Sequence, residues 1–367
     1  MNQGLALKIL SGIMNWDTDQ ARAQFAWLRL MSRLKYDGYQ DYLAGARFIE
    51  SLADWLQQFE PEEREAAYGF VRQNLVYVGN AEMQHLVEAV YPETVQRRLL
   101  SAVAERLSIP QFRVWSQPEA TAAYNLLLRK TLFLGLSDGA RIDAFRRANV
   151  GIISNEQVVV ATQIDSGKWA SLLEDLREHT RDGEARFSTV YLIDDFVASG
   201  TTLLKERGGK WSGKLIKFWE SAEGVFGSHF EPDLLVCIHH YISSHRASVA
   251  IEDNYRQAFQ ERGDSGLFRN VKFSFGTVLP ESLPIDEARH GEFMRLVEKY
   301  YDPVIETSHM KQGGEDARLG FGRGALPLIL EHNTPNNSVA LLWAETDGGE
   351  GIHAMRPLFR RRQRHFA

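Results

Sequence analysis

The segment Thr189-Val-Tyr-Leu-Ile-Asp-Asp-Phe-Val-Ala-Ser-Gly-Thr-Thr-Leu203 holds the residue types best suited to chemistry. It reads as a buried strand that ends in two adjacent carboxylates, Asp194 and Asp195. The loop Ala198-Ser199-Gly200-Thr201-Thr202 follows, with a helix expected straight after it. This order suits a phosphorylated sugar. The hydroxyls of Ser199, Thr201 and Thr202 are donors, and Gly200 lets the backbone come close. Exposed N–H groups at a helix start favour a phosphate dianion. Two carboxylates at a strand end accept hydrogen bonds from a vicinal diol and place negative charge beside a carbon that becomes cationic. The bland alternative is a strand whose acid pair caps a helix. The succession of strand, acid pair, hydroxyl-rich loop and helix favours the functional reading.

A second strand-to-loop passage lies upstream, Thr131-Leu-Phe-Leu-Gly-Leu-Ser-Asp-Gly-Ala-Arg141. An apolar run leads into Gly135, Ser137, Asp138 and Gly139, and a helical stretch follows. By itself this is an ordinary strand-to-helix turn. Arg141 reads equally as a phosphate contact or as a surface helix arginine.

The acid-pair segment resembles the PRPP-binding motif of type I phosphoribosyltransferases: a hydrophobic strand, two acidic residues, then a Thr/Ser-Gly-x-Thr phosphate loop. Asp194, Asp195, Ser199, Gly200 and Thr202 match it position by position. Ala198 stands where many members carry a hydroxyl, which weakens one phosphate contact and leaves the backbone cradle. The resemblance implies catalytic roles for Asp194 and Asp195 and ligand contacts along Ala198, Ser199, Gly200, Thr201 and Thr202. It also implies an earlier loop that holds pyrophosphate. The Thr131–Arg141 passage stands in that place, with Gly135, Ser137, Asp138 and Gly139 as its contacts. Mg²⁺ is then expected to arrive with PRPP, and no protein-held metal site is expected. Members also cover the site with a mobile loop. The stretch Asp165 to Asp182 contains Ser166, Gly167, Lys168 and Trp169, but it looks helical, so Lys168 reads as a solvated helix start.

The elements that must position these residues fall into two parts. Up to about residue 112 the chain reads as helical. Apolar residues recur at three- and four-residue spacing through Phe25, Leu28, Leu30, Met31 and Leu34, and again through Tyr42, Phe48, Ile49, Leu52 and Leu56. Pro61 and Pro92 open further helical segments, and Asn80 caps another. Beyond it, apolar runs alternate with helical stretches. Expected strands are Thr131 to Leu136, Gln157 to Thr162, Thr189 to Ile193, Asp233 to Tyr241 and Val271 to Val278. Expected helices are Ala140 to Arg147, Lys168 to His179, Trp211 to Gly224 and Ala247 to Arg262. Continuous apolar strands between helices predict a parallel sheet covered on both faces. The expected fold is therefore α/β, a doubly wound, mainly parallel sheet of the type I phosphoribosyltransferase kind, preceded by an all-helical domain. The expected division is 1–112 helical and 113–367 α/β with a C-terminal hood-like extension. Ligands in such sheets bind beyond the C-terminal ends of the strands, which singles out the loops after Leu136 and Ile193.

Composition sets outer limits. With 44% apolar and 25% charged residues the chain is an ordinary globular one, not disordered, collagenous or coiled-coil. At 367 residues it divides into two or three domains. The single cysteine, Cys237, excludes an intramolecular disulfide framework and a Cys-rich zinc site, and it points to the cytoplasm. The N-terminus shows no long apolar run, so no signal peptide is expected, and no stretch is apolar enough to span a membrane. A net charge of −6 argues against a wholesale nucleic-acid-binding surface.

Near the C-terminus, Gly320-Phe-Gly-Arg-Gly324 precedes Glu331-His-Asn-Thr-Pro-Asn-Asn-Ser338 and Val339-Ala-Leu-Leu-Trp343. This reads as a tight turn before a last strand. Alternatively, Asn333, Asn336 and Asn337, with Phe321 and Trp343, form a base-binding surface. Together with Tyr42-Leu-Ala-Gly-Ala-Arg-Phe-Ile-Glu50, it looks like the branch of phosphoribosyltransferase-like proteins found in bacterial conflict systems, including antiphage loci with reverse transcriptases, as in retrons. That resemblance implies a defence effector with protein or nucleoprotein partners. The alternatives are a non-catalytic PRPP or nucleotide sensor and a partner-docking scaffold. The tail Met355 to His365 is arginine-rich and reads as a solvated end or a docking segment. Gly208-Gly-Lys-Trp-Ser-Gly-Lys-Leu215 fits G-x4-G-K but lacks the following Ser or Thr and a preceding buried strand, so it reads as a basic surface loop. His239 and His240 alternate faces on a strand and cannot easily share one metal.

Overall fold

A computed structural model describes residues 3–41, 47–161, 164–262, 269–307, 310–314, 316–349 and 351–361. Parts of the expectations at 42–46, Thr162 and 362–365 lie outside them. The chain packs as two units, 1–82 with 281–367, and 83–280.

The first unit opens with helices α1 (Gln3–Ile13), α2 (Thr18–Leu34), α3 (Arg47–Gln57) and α4 (Arg64–Asn74), then strand β1 (Val76–Val78). Asp17 starts α2 with a capping box: its side chain accepts from the Gln20 amide at 2.8 Å, and the Gln20 side chain accepts from the Asp17 amide at 3.0 Å. Phe48, Ile49, Leu52, Trp55 and Leu56 form the buried face of α3. This unit closes only when the C-terminal part of the chain returns.

The second unit begins within α5 (Asn80–Ala89), continues through α6 (Arg97–Leu107) and α7 (Pro118–Arg129), and then enters the sheet. Strand β2 (Thr131–Gly135) is followed by α8 (Ile142–Ala148), β3 (Val158–Val160), α9 (Ser166–Thr180) and β4 (Phe187–Val197). A hairpin of β5 (Lys205–Arg207) and β6 (Lys210–Ser212) comes next. After it come α10 (Lys214–Glu223), α11 (Phe226–His229), β7 (Phe230–Ser243), α12 (His245–Arg262) and β8 (Val271–Val278). Five strands form one sheet in the order β3-β2-β4-β7-β8, every neighbouring pair parallel. One face of the sheet, with Leu132, Leu134, Val190, Leu192, Val236 and Ile238, packs against Trp169, Leu172 and Leu176 of α9, Leu215 and Phe218 of α10 and Ile251 of α12. On the other face, Phe133 meets Phe145 of α8 at 5.1 Å and Tyr191 at 5.5 Å between ring centroids. Helices therefore cover both faces, as the uninterrupted apolar strands predict.

The chain then returns to the first unit with α13 (Glu287–Lys299) and β9 (Leu328–Leu330). Strand β9 pairs with β1 in parallel, Tyr77 opposite Ile329. Trp55 donates to the Leu341 carbonyl at 2.8 Å.

The structure differs from expectation in identifiable places. The division expected at residue 112 falls inside the second unit, because residues 83–112 pack there while residues 281–367 pack with residues 1–82. The N-terminal part is not wholly helical: Val76-Tyr-Val78 is a strand whose partner lies about 250 residues away in sequence, so no local alternation reveals it. No helix follows the Ser199–Thr202 loop directly; the β5–β6 hairpin intervenes, with Gly208-Gly209 as its turn. Val339 to Trp343 is a buried 3₁₀ turn over Ala340–Leu342 rather than a last strand. The Asn-rich turn before it is internally bonded: Asn337 donates to the Phe321 carbonyl and Trp343 to the Ser338 carbonyl, both at 2.8 Å. Of the arginine-rich tail, Leu358 and Phe359 are buried, and the Arg361 guanidinium lies 5.5 Å over the Trp343 ring. Among the described residues no helix is long and apolar enough to cross a membrane.

Candidate functional site

The strand order puts the topological switch point between β2 and β4. The chain leaves β2 for β3 on one side and comes back to β4 on the other. Loops at the C-terminal ends of those two strands meet there. They are the two loops singled out from sequence. Gly135 pairs with Ile193, and the Leu136 amide donates to the Ile193 carbonyl at 2.8 Å. Beyond that bond β2 turns away, whereas β4 continues.

Strand β4 runs through both acidic residues to Val197, not only to Ile193 as expected. The strand pleat therefore sends Asp194 and Asp195 to opposite faces. Asp194 is buried, and both its oxygens are engaged. The Ser137 hydroxyl donates to Oδ1, and the Lys214 ammonium contacts Oδ2. Burial and the neighbouring Asp195 charge push the Asp194 carboxyl up, and Lys214 and Ser137 oppose that shift. Asp195 is only partly buried. Gly139 lies directly against it: a Cβ on Gly139 would stand 2.8 Å from Asp195 Cγ. Only a residue without a side chain fits so close to that carboxylate. Ser137 and Gly139 of the first loop thus touch the acid pair of β4, while Asp138 is exposed.

The loop after β4 is held at both ends. Ser244 at the end of β7 donates its amide to the Val197 carbonyl at 2.9 Å and its hydroxyl to the Ala198 carbonyl at 2.6 Å. Gly200 has φ of 76°, a left-handed conformation that favours glycine, and its carbonyl accepts from the Leu203 and Leu204 amides, both at 3.0 Å. The hydroxyls of Ser199 and Thr201 lie 2.8 Å apart. Among the described residues the amides of Ser199, Gly200, Thr201 and Thr202 enter no backbone hydrogen bond. Consecutive amides left open in a turn form a concavity suited to an anion. The Thr202 carbonyl accepts from the Lys214 amide at 3.0 Å, which ties the start of α10 back to the loop.

Lys214 is the residue that sequence reasoning missed. It is the lysine of the G-x4-G-K run set aside as a surface loop. Its only sequence signal was its place soon after the hydroxyl-rich loop. His240 pairs across the sheet with Asp194 and is wholly buried. Burial pulls its pKa down to about 3 and that of His239 to about 4, so both rings are neutral at neutral pH. Tyr241 donates to the Ala140 carbonyl at 2.6 Å and braces the end of the first loop. Lys168 sits on a helix start, its amide donating to Asp165 at 2.8 Å. Cys237 is buried, and burial pushes its thiol up to about 11. Among the described residues no group of three or more His, Cys, Asp or Glu side chains could hold a metal ion.

The arrangement offers open amides and hydroxyls for an anion, a half-buried carboxylate at Asp195, and the Lys214 ammonium against Asp194. Neither curated proteins nor solved structures gave a match. The sequence model of the PRTase-CE family, a phosphoribosyltransferase-like family, matches residues 52–361, and the chain belongs to that family.

Proposed function

We propose that the switch-point loops bind PRPP or a related ribose 5-phosphate ligand and that the protein transfers the phosphoribosyl group to an acceptor. The observation that carries this reading is the open amide turn Ser199–Thr202 one short step beyond the Asp194–Asp195 pair. The turn fixes the 5′-phosphate and so orients C1′. Asp195 accepts hydrogen bonds from the ribose hydroxyls, and its charge favours the positive charge that develops at C1′. The bond from C1′ to the diphosphate oxygen breaks with its electron pair leaving on the diphosphate, and a bond from C1′ to the acceptor nucleophile forms. Ser137, Asp138 and Gly139, just past Gly135 at the end of β2, form the loop on the diphosphate side. Mg²⁺ would arrive on the ligand's own diphosphate oxygens. Such an ion offsets charge on the leaving diphosphate.

The engagement of both Asp194 oxygens favours a second reading, a site that binds the ligand without turnover. Isothermal titration with PRPP and Mg²⁺, joined to an assay of pyrophosphate release with candidate bases, separates the two. Binding with release supports transfer, and binding without release supports a sensor. No binding removes both. The place of action is the cytoplasm and the role that of a defence effector held by protein or nucleoprotein partners; this part rests on the sequence resemblance. Phage challenge of cells carrying the gene and its neighbours, with Asp195→Asn as comparison, tests it. Equal protection by both forms would end that role for this site.

A further inference from the structure

We infer that Lys214 is itself a ligand-contacting residue of this site, its ammonium donating to a phosphate or diphosphate oxygen of the bound sugar phosphate while Asp194 and Ser137 position it. This inference rests on the sugar-phosphate reading above.

Lys214 bridges the two halves of the site. Its amide donates to the Thr202 carbonyl of the open turn, and its ammonium touches Asp194 of the acid pair. The partners are unequally buried: the Asp194 side chain is 4% exposed and that of Lys214 is 24% exposed. The carboxylate is sealed and the lysine side chain is partly exposed. An ammonium has three donors, and Asp194 Oδ2 is the one acceptor that its Nζ meets among the described residues. The remaining donors suit an anionic oxygen, which replaces water at a strongly hydrated point charge. Ser137 on the other oxygen stops the carboxylate from turning. The pair therefore fixes a positive charge beside Asp194 and Ser137. This selects a phosphorylated ribose over the free sugar.

The test is isothermal titration of the full chain with ribose 5-phosphate, PRPP plus Mg²⁺, and ribose. The proteins compared are wild type, Lys214→Met, Lys214→Arg, Asp194→Asn and the double variant Lys214→Met with Asp194→Asn. Removing Lys214 alone leaves a buried carboxylate without its partner and lowers stability, whereas the double variant removes the pair together and keeps the fold. Lys214→Met is expected to weaken both phosphorylated ligands by about tenfold or more, the scale of one charge-assisted hydrogen bond. Lys214→Arg keeps most of the affinity, and Asp194→Asn loses less than Lys214→Met, since the ammonium remains but is no longer held in place. The double variant is expected to fold but not to regain affinity. Wild-type affinity in the double variant, or in Lys214→Met, overturns the inference, and so does an equal loss in Asp194→Asn and Lys214→Met. If the wild type binds neither phosphorylated ligand, the reading of the site itself falls, and this inference with it.

Discussion

Gly139 and Asp195 are in direct apposition: the Cα of the first loop faces a carboxylate of β4 with no room for a methyl group between them. The contact joins the loop after β2 to the neighbouring strand β4, about 55 residues on in sequence. Gly139→Ala is therefore expected to turn Asp195 aside. Stability should fall by about 1 kcal/mol, as for a modest local clash. Affinity for ribose 5-phosphate should fall by much more than that loss explains, about tenfold or beyond. Unchanged affinity in a folded Gly139→Ala protein would show that Asp195 does not face the ligand.

Acid stability follows from the buried histidines. Burial holds His239 at about 4 and His240 at about 3, below the ordinary value near 6.5. As pH falls below 6.5 the unfolded chain takes up protons at these rings and the folded chain does not. The stability they contribute is complete above pH 6.5 and is lost as pH falls toward 4 and 3. Each ring then sets a slope approaching about 1.4 kcal/mol per pH unit. Urea unfolding at pH 7.5, 6 and 5 should show the decline, and His240→Leu should remove one proton from its slope whatever it does to the absolute value. An unchanged slope in that variant would mean that His240 titrates normally in the folded protein.

Legibility from sequence followed the range of the interactions. All five sheet strands were readable because each is a short apolar run between helical stretches, and Val271–Val278 has the expected bounds. The two site loops were readable because Asp194-Asp195 and Ser199-Gly200-Thr201-Thr202 are contiguous. What sequence could not show is what depends on distant partners. The strand Val76–Val78 exists because Leu328–Leu330 lies beside it. Lys214 enters the site because a two-residue turn at Gly208-Gly209 folds the chain back. The extension of β4 past Ile193 is set by β7, whose Ile242 and Ser243 pair with Phe196 and Val197. That extension is what parts the two carboxylates.

Metal dependence should differ between ligands. On the proposed reading the ion arrives on oxygens of the ligand. A diphosphate chelates Mg²⁺ and a lone monophosphate does so weakly. EDTA is expected to reduce PRPP affinity severalfold and to leave ribose 5-phosphate affinity within error. Titrations with and without EDTA measure this. A strong loss of ribose 5-phosphate binding would require a protein-held metal at the site.

The first unit is closed by a stacked pair from opposite ends of the chain. Phe70 of α4 and Phe293 of α13 lie parallel, with 3.5 Å between ring centroids and 3° between planes, and both are buried. Deleting one ring removes its transfer energy and leaves a cavity that backbone from two remote segments cannot easily collapse. Phe293→Ala should cost about 3–5 kcal/mol. Because α13 arrives from the far end of the sequence, that loss should appear in α4 as well as in α13. Hydrogen exchange across Arg64–Asn74 is therefore expected to quicken in Phe293→Ala. A double-mutant cycle with Phe70→Ala should return a coupling of about 1 kcal/mol, because the two rings are each other's neighbours. Normal protection of α4 amides in Phe293→Ala would mean that the N-terminal helices hold together without the returning chain.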